Sequence, residues 1–302
     1  MQTDTAILLM AYGTPTSDDE IESYLTSIRR GRPPSVDQVE DLKRRYTIIG
    51  GHSPLLEITK AQACALEQQL NSNGIQAHVY YGMKHWHPYI SETVQQIVTT
   101  GVRRILGLVL APHYSSMSSG EYKKLLNRAL INSKNIQVDF IDSWYNNSLF
   151  HEAVAEKVKN GITKFPSKTN VHTLFTAHSL PRRMIDQGDP YSTQLIESCK
   201  AVTALTNIEN WTLAYQSAGE TGEEWLGPDI LTVLKNMVVR SNVLVVPIGF
   251  VADHLEILYD IDVEAQAVAR SHNILMQRTG SLNTSPKFIA ALTDIVTDEL
   301  SA

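Results

Sequence analysis

Ile7-Leu-Leu-Met-Ala-Tyr-Gly-Thr-Pro15 and Thr173-Leu-Phe-Thr-Ala-His-Ser-Leu-Pro181 carry one pattern twice: an apolar run, an alanine, a ring-bearing residue, a small residue and, two positions on, a proline. A run that is apolar on both faces reads as a strand buried inside a parallel sheet, and the Gly or Ser with Pro marks where it ends. A second pair repeats the relation, with Leu108-Val-Leu-Ala-Pro-His113 set against Leu244-Val-Val-Pro-Ile-Gly-Phe250. The spacing predicts strands at residues 6–11, 76–81, 105–111, 137–141, 172–177, 212–216, 243–247 and 274–277. Stretches of helical apolar spacing lie between them, clearest at 58–70 and 154–162, and the acidic group Asp18, Asp19, Glu20 and Glu22 suits a helix N-terminus. Alternation of this kind is the mark of α/β folding. The expected architecture is two similar Rossmann-like halves, residues 1–163 and 164–302, each a four-stranded parallel sheet flanked by helices, joined near residues 160–170. Ligands of such sheets bind beyond the carboxyl ends of the strands, where Tyr12, His113, His178 and Phe250 fall, so the cleft between the halves is the expected site.

Composition narrows the function classes. The 302 residues are 43% hydrophobic, enough for a sizeable core, and carry a formal charge of -6, which argues against a nucleic-acid surface and for a small-molecule partner. Two cysteines, Cys64 and Cys199, in no ligand-like spacing indicate neither a disulfide framework nor a thiolate cluster. No apolar run approaches the roughly 20 residues that span a bilayer, and no secretory leader is recognisable, so a cytoplasmic location is expected. Serine-hydrolase, P-loop, GxGxxG and HExxH motifs are absent from the sequence.

Three constellations carry chemistry. His178, at the end of an apolar strand, reads either as a proton acceptor or metal ligand, or as a structural histidine bonded to a loop carbonyl. Glu256, Asp260 and Glu264 recur at four-residue spacing in the segment from Asp253. On an α-helix they advance about 40° per step and form one acidic stripe, a route for dications or protons. Asp253-x-x-Glu256 also fits a capping box, which accounts for Glu256 but not for Asp260 or Glu264. The third constellation is basic: Arg29, Arg30, Arg32, Lys43, Arg44 and Arg45 are six of the 26 Lys and Arg residues. They read as an anion site for carboxylates or phosphate, or as solvated helix ends. The turn Ile49-Gly-Gly-His-Ser-Pro54 adds backbone N–H groups and the Ser53 hydroxyl. Tyr12 offers a flat, polar-tipped ring at the cleft mouth. His85-x-His87 and Tyr122 are weaker signals, the histidine pair reading as surface polarity.

The motifs resemble those of the ferrochelatase family of class II chelatases, which insert Fe²⁺ into a porphyrin. The likeness runs from Leu8-Leu-Met-Ala-Tyr-Gly-Thr-Pro15 through Arg29-Arg-Gly-Arg32, Gly82-Met-Lys-His85, Leu110-Ala-Pro-His113, Thr176-Ala-His-Ser-Leu-Pro181, Tyr215-Gln-Ser217 and Trp225-Leu-Gly-Pro-Asp229 to Gly249-Phe-Val-Ala-Asp-His-Leu-Glu256. The compact length, with neither a membrane helix nor a C-terminal cysteine extension expected, is similar to the soluble coproporphyrin III ferrochelatases of monoderm bacteria. The resemblance implies that His178 and Glu256 are the catalytic pair. It implies a metal or proton path through Asp260 and Glu264, Tyr12 as an axial ligand to product iron, and propionate binding by Arg29, Arg30, Arg32, Arg45, Tyr46, Ser53 and Tyr122. It also implies Fe²⁺ as substrate with no permanently bound cofactor and no [2Fe-2S] centre, a monomer, and passing contact with other haem-pathway enzymes. Leu25 after Tyr24, Met83 and Trp86 depart from close relatives and bear on pocket shape. Protoporphyrin IX as substrate, a cobalt chelatase acting on sirohydrochlorin, and a non-catalytic haem or porphyrin carrier are the competing readings.

Overall fold

The structure, a computed structural model, describes residues 4–133, 135–166, 170–219 and 221–301. Residues 167–169 of the expected junction lie outside the described residues. Among the described residues eight strands form: β1 (Thr5–Ala11), β2 (His78–Met83), β3 (Arg104–Val109), β4 (Gln137–Ile141), β5 (Val171–His178), β6 (Trp211–Gln216), β7 (Asn242–Val246) and β8 (Leu275–Arg278). They make two parallel four-stranded sheets in the orders β2-β1-β3-β4 and β6-β5-β7-β8, which are the same order shifted by four strands. The duplication read in the sequence is thus a duplication of topology. In each sheet the order reverses beside the first strand, so the crevice at the carboxyl ends opens between β1 and β3 in one half and between β5 and β7 in the other. Tyr12 directly follows β1, and His178 ends β5.

The strand expected at 76–81 sits two residues later. It is an edge strand whose start is exposed, and pairing of Ala11 with Met83 draws it toward the cleft. The expected helices lengthen to Leu55–Ser72 and Ser148–Ile162, and the acidic group forms a 3₁₀ turn, Asp18–Glu20, leading into the helix Ile21–Ile28.

Strand alternation sorts the core into layers. Ala6, Leu8 and Met10 of β1 pack outward with the helices Ile90–Thr99 and Ser119–Ala129. Ile7 and Leu9 point inward to a layer shared with Phe175 and Leu244 of the second sheet. Helices fill this layer: Ser148–Ile162 packs on Tyr191–Thr206, and the C-terminal helix Pro286–Ser301 crosses back onto Leu55–Ser72 and Ser148–Ile162. Phe150 and Phe288 are fully buried there, and each such side chain contributes roughly 1.5–3 kcal/mol by leaving water. The halves have separate sheets but a common core, which holds the two sets of strand ends in fixed relation. Two glycines let the ends approach. Gly13 has φ +98°, and a Cβ there would lie 2.9 Å from the Trp86 nitrogen; at Gly249 a Cβ would meet the Ala177 side chain at 2.6 Å.

Candidate active site

The segment from Asp253 does not open as a capped α-helix. Asp253 accepts bonds from Ser281, Asn283 and Arg278, and Glu256–Ala265 winds as a π-helix preceded by Leu255, with no capping side chain. The capping-box alternative therefore fails. The 40° advance fails with it, because a helix with i→i+5 bonds has more than four residues per turn, and a four-residue step falls just short of a full turn. Glu256, Asp260 and Glu264 therefore form one row that drifts in the sense opposite to that of an α-helix.

At the inner end of that row, Glu256 lies between two imidazoles, 3.7 Å from His178 Nε2 and 3.6 Å from His254 Nε2. His178 Nδ1 pairs with the Ser179 carbonyl oxygen, which fixes Nδ1 as the donor and leaves Nε2 facing Glu256 and the cleft. Tyr191 holds the His178 carbonyl from behind through a 3.0 Å bond. The bond to a loop carbonyl that the sequence reading allowed for His178 is made by Nδ1, and Nε2 is left free of it. Burial alone would raise the Glu256 pKa, but His178 and His254 outweigh it and bring it down to about 2. The same carboxylate raises the pKa of His254 against the opposing pull of burial.

One step along, Asp260 behaves oppositely. Burial, with Glu256 and Glu264 beside it, lifts its pKa to about 7 despite a bond from Ser217 and the nearby Arg45. Two neighbouring carboxylates so divided form one fixed anion and one group that exchanges protons near neutrality. Gln216, at the end of β6, donates to the Glu256 carbonyl oxygen at 2.9 Å.

The first half presents an aromatic wall. Tyr12 is 40% exposed, yet burial in the cleft, then Glu256 and Tyr46, push its phenol pKa far up. The influence of Glu256 on Tyr12 and on Tyr46 ties the two halves into one electrostatic site. Tyr46 is buried with its hydroxyl 2.9 Å from Thr14 Oγ1, and Tyr24 donates to the Gly13 carbonyl at 3.1 Å. His85 packs on Tyr12 with ring centroids 4.6 Å apart and lies 3.2 Å from Ser27 Oγ. Burial, Lys84 and Arg30 depress its pKa to about 4, so it is a neutral part of the cleft wall and not surface polarity. Tyr122 is buried, with the Lys84 ammonium 5.4 Å above its ring.

The basic constellation divides. Lys43 pairs with Glu40 and Arg44 with Asp41 and the Tyr259 hydroxyl. Arg45 binds Asp41 at 2.7 Å, lies 3.8 Å from Asp260 and stacks over Tyr259, so it faces the acidic row. Arg29 and Arg32 each donate to the other's carbonyl, and Arg30 and Arg32 are exposed. Ser53 is buried and caps the turn into Leu55–Ser72 through the Leu55 N–H. His113 does not face the cleft: its ring is buried among Tyr145, Phe150 and Tyr191, with Nε2 3.0 Å from Ser198.

Sequence reading passed over His254 and discounted His85. The signal for His254 was its place two residues before Glu256; for His85 it was the adjacent buried Trp86 and Met83. Among the described residues, no group of three or more His, Cys, Asp or Glu side chains is arranged to hold a metal ion by itself. Two donors such as His178 and Glu256 leave coordination positions for another ligand. Among the described residues, no helix is long and apolar enough to cross a membrane. A separate hollow of about 500 Å³ opens at the amino ends of β5, β6 and β7, away from all these residues.

Comparison with solved structures assigns the architecture. The sirohydrochlorin chelatase SirB from Bacillus subtilis subspecies spizizenii, solved with cobalt, superposes with a TM-score of 0.58 at 11% identity, over 98% of this chain and 95% of that one. CbiX, described as the terminal enzyme for biosynthesis of siroheme in denitrifying bacteria, gives 0.57 at 11% identity, over 97% and 98%. At this identity the likeness shows the fold, that of the two-sheet chelatases. Sequence then narrows the class: a family model described as Ferrochelatase matches residues 4–300, and the chain belongs to the ferrochelatase family, whose enzymes insert iron into a porphyrin. The ferrochelatase of Herpetosiphon aurantiacus is 43% identical over 305 residues, covering 99% of this chain and 100% of that protein. The coproporphyrin III ferrochelatase of Geobacillus kaustophilus is 39% identical over 297 residues, covering 96% and 94%.

Proposed function

We propose that this enzyme inserts Fe²⁺ into coproporphyrin III to give coprohaem. The observation that carries the chemistry is the facing of His178 and Glu256 by Tyr12 across one cleft, with Glu256 held anionic beside Asp260, which titrates near neutrality. The choice of porphyrin is supported by relatives such as that of Geobacillus kaustophilus, which are named for coproporphyrin III.

A free-base porphyrin must lose two pyrrole N–H protons as the metal enters, and its planar ring hides the nitrogen lone pairs. His178 Nε2 accepts those protons on one face, one at a time, each handed on before the next is taken. Glu256 steadies the imidazolium that forms, and Asp260 and then Glu264 pass the protons outward, or admit the dication inward. Tyr12 covers the opposite face. Its high pKa keeps it a neutral phenol until product iron displaces the proton, when it serves as the axial ligand. Arg29, Arg30 and Arg32 at the rim, with Tyr46, Ser53 and Tyr122, receive the propionates; Arg45, committed to Asp41 and Asp260, is better assigned as counter-charge to the acidic row. Division into residues 1–163 and 164–302, and a cytoplasmic monomer that releases coprohaem to a later haem-pathway enzyme, belong to the same reading.

The test is anaerobic incubation with Fe²⁺ or Co²⁺ and, in turn, coproporphyrin III, protoporphyrin IX and sirohydrochlorin, followed by absorption. The expected result is fastest loss of the free-base spectrum for coproporphyrin III with Fe²⁺. Preference for protoporphyrin IX would refute the substrate assignment. Binding shifts without insertion for every pair would favour the carrier.

A further inference from the structure

A ten-residue π-helix is an uncommon conformation that needs support from its surroundings, and this one starts without a capping side chain. Its back is held by one guanidinium. Arg278, the last residue of β8, donates from Nε and Nη2 to the two carboxylate oxygens of Asp262, at 2.7 Å each. Its Nη1 donates to Asp253 Oδ1 at 3.2 Å and to the Thr279 carbonyl at 3.0 Å, and its side chain is only 14% exposed. Asp253 stands three residues before Glu256, and Asp262 two residues after Asp260. The fork therefore grips the segment on both sides of the two carboxylates that face the cleft. Asp253 also takes bonds from Ser281 and Asn283, and the Asn283 carbonyl accepts the Gln62 amide at 2.9 Å from the helix Leu55–Ser72 in the other half. From the front, Gln216 and Ser217 hold Glu256 and Asp260.

We propose that Arg278 is a positioning residue that fixes the rotation of the π-helix and so aims Glu256 and Asp260 at the metal's route. This rests on the functional reading above and deepens it. Arg278 bonds to neither Glu256 nor Asp260; it acts through Asp253 and Asp262. A slip of one residue would turn the row by roughly a quarter turn, away from His178. A lysine cannot replace the fork, because an ammonium lacks the planar set of donors that spans two carboxylates.

The test compares wild type with Arg278→Gln, Arg278→Lys and Asp262→Asn at a temperature where each is fully folded. Three quantities are read: KM and kcat for Fe²⁺ insertion, Kd for coproporphyrin III by fluorescence quenching, and Co²⁺ affinity of the porphyrin-free protein by calorimetry. Displacing reacting groups by about 1 Å can cost about 10²-fold, so Arg278→Gln should lower kcat about 30-fold and raise the iron KM about tenfold, with the porphyrin Kd changed less than about twofold. Arg278→Lys should recover little of this, and Asp262→Asn, which keeps the grip on Asp253, should fall between. Unchanged iron parameters in folded Arg278→Gln, equal changes in iron KM and porphyrin Kd, or full rescue by lysine would each overturn the proposal. If Arg278→Gln does not fold, Arg278→Lys and Asp262→Asn decide by the same criteria. If wild type inserts no metal into any porphyrin, the functional reading fails, and the positioning role stands or falls on whether Co²⁺ affinity drops about tenfold or stays unchanged in the variants.

Discussion

The two sheets share one strand order, yet their carboxyl ends carry opposite chemistry. Directly after β1 the chain places a neutral phenol, Tyr12, against His85; the equivalent position at the end of β5 is His178, against a carboxylate. The third strand of each sheet diverges further. The loop after β3 turns His113 inward to the shared core, whereas the loop after β7 leads to the acidic π-helix. A duplicated frame thus supplies two matched walls, and residues at the strand tips give one wall aromatic surface and the other imidazole and carboxylate groups.

The comparison can be broken most severely on the polar wall. Glu256→Gln removes the anion beside His178 and should lower kcat for iron insertion by about 10³-fold with porphyrin Kd nearly unchanged, the range for a lost acid–base partner. Equal activity would leave the carboxylate without a catalytic part.

Asp260 gives a prediction with a sign. Its folded pKa near 7 lies above the ordinary aspartate value of 3.8, so stability is lost as pH rises from about 4 through 7. Asp260→Asn should therefore be more stable by about 4 kcal/mol at pH 8 and equal to wild type at pH 3, measured by denaturant unfolding. Wild type should show a rise in insertion rate centred near pH 7 as Asp260 ionises, and Asp260→Asn should lack it. A stabilisation independent of pH would contradict the assignment.

Gly249 sharpens the comparison at the frame itself. Gly249→Ala forces a methyl against Ala177, next to His178, and should cost roughly 1–3 kcal/mol of stability by overpacking, together with kcat. A smaller effect belongs to the rim. Arg29→Glu should raise the porphyrin KM about tenfold while changing kcat less, because binding is lost without the reacting groups moving. A kcat loss with constant KM would remove the anchor role.

Much of this was legible in sequence for a physical reason. Strands such as β3 and β7 are buried on both faces, so the apolar run itself marks them. The edge strand β2 lacks that signal, and its position was misread by two residues. Helix type was illegible, because four-residue spacing suits both α and π winding, and the choice follows from contacts distant in sequence: Gln216 with Glu256, and Arg278 with Asp253 and Asp262. Burial of His85 depends on Trp86 and Ser27, and the shared core on the returning C-terminal helix, neither of which spacing reveals.

The central claim is that one porphyrin lies between unlike walls, deprotonated from the His178 side and covered from the Tyr12 side. Its most direct test is the initial rate of anaerobic Fe²⁺ insertion into coproporphyrin III by wild type, His178→Ala and Tyr12→Phe, each shown to bind the porphyrin. The account predicts loss of about 10³-fold or more for His178→Ala and less than about tenfold for Tyr12→Phe, whose change should show instead in the spectrum of bound product iron. Insertion by His178→Ala at the wild-type rate, or a larger loss in Tyr12→Phe than in His178→Ala, would contradict it.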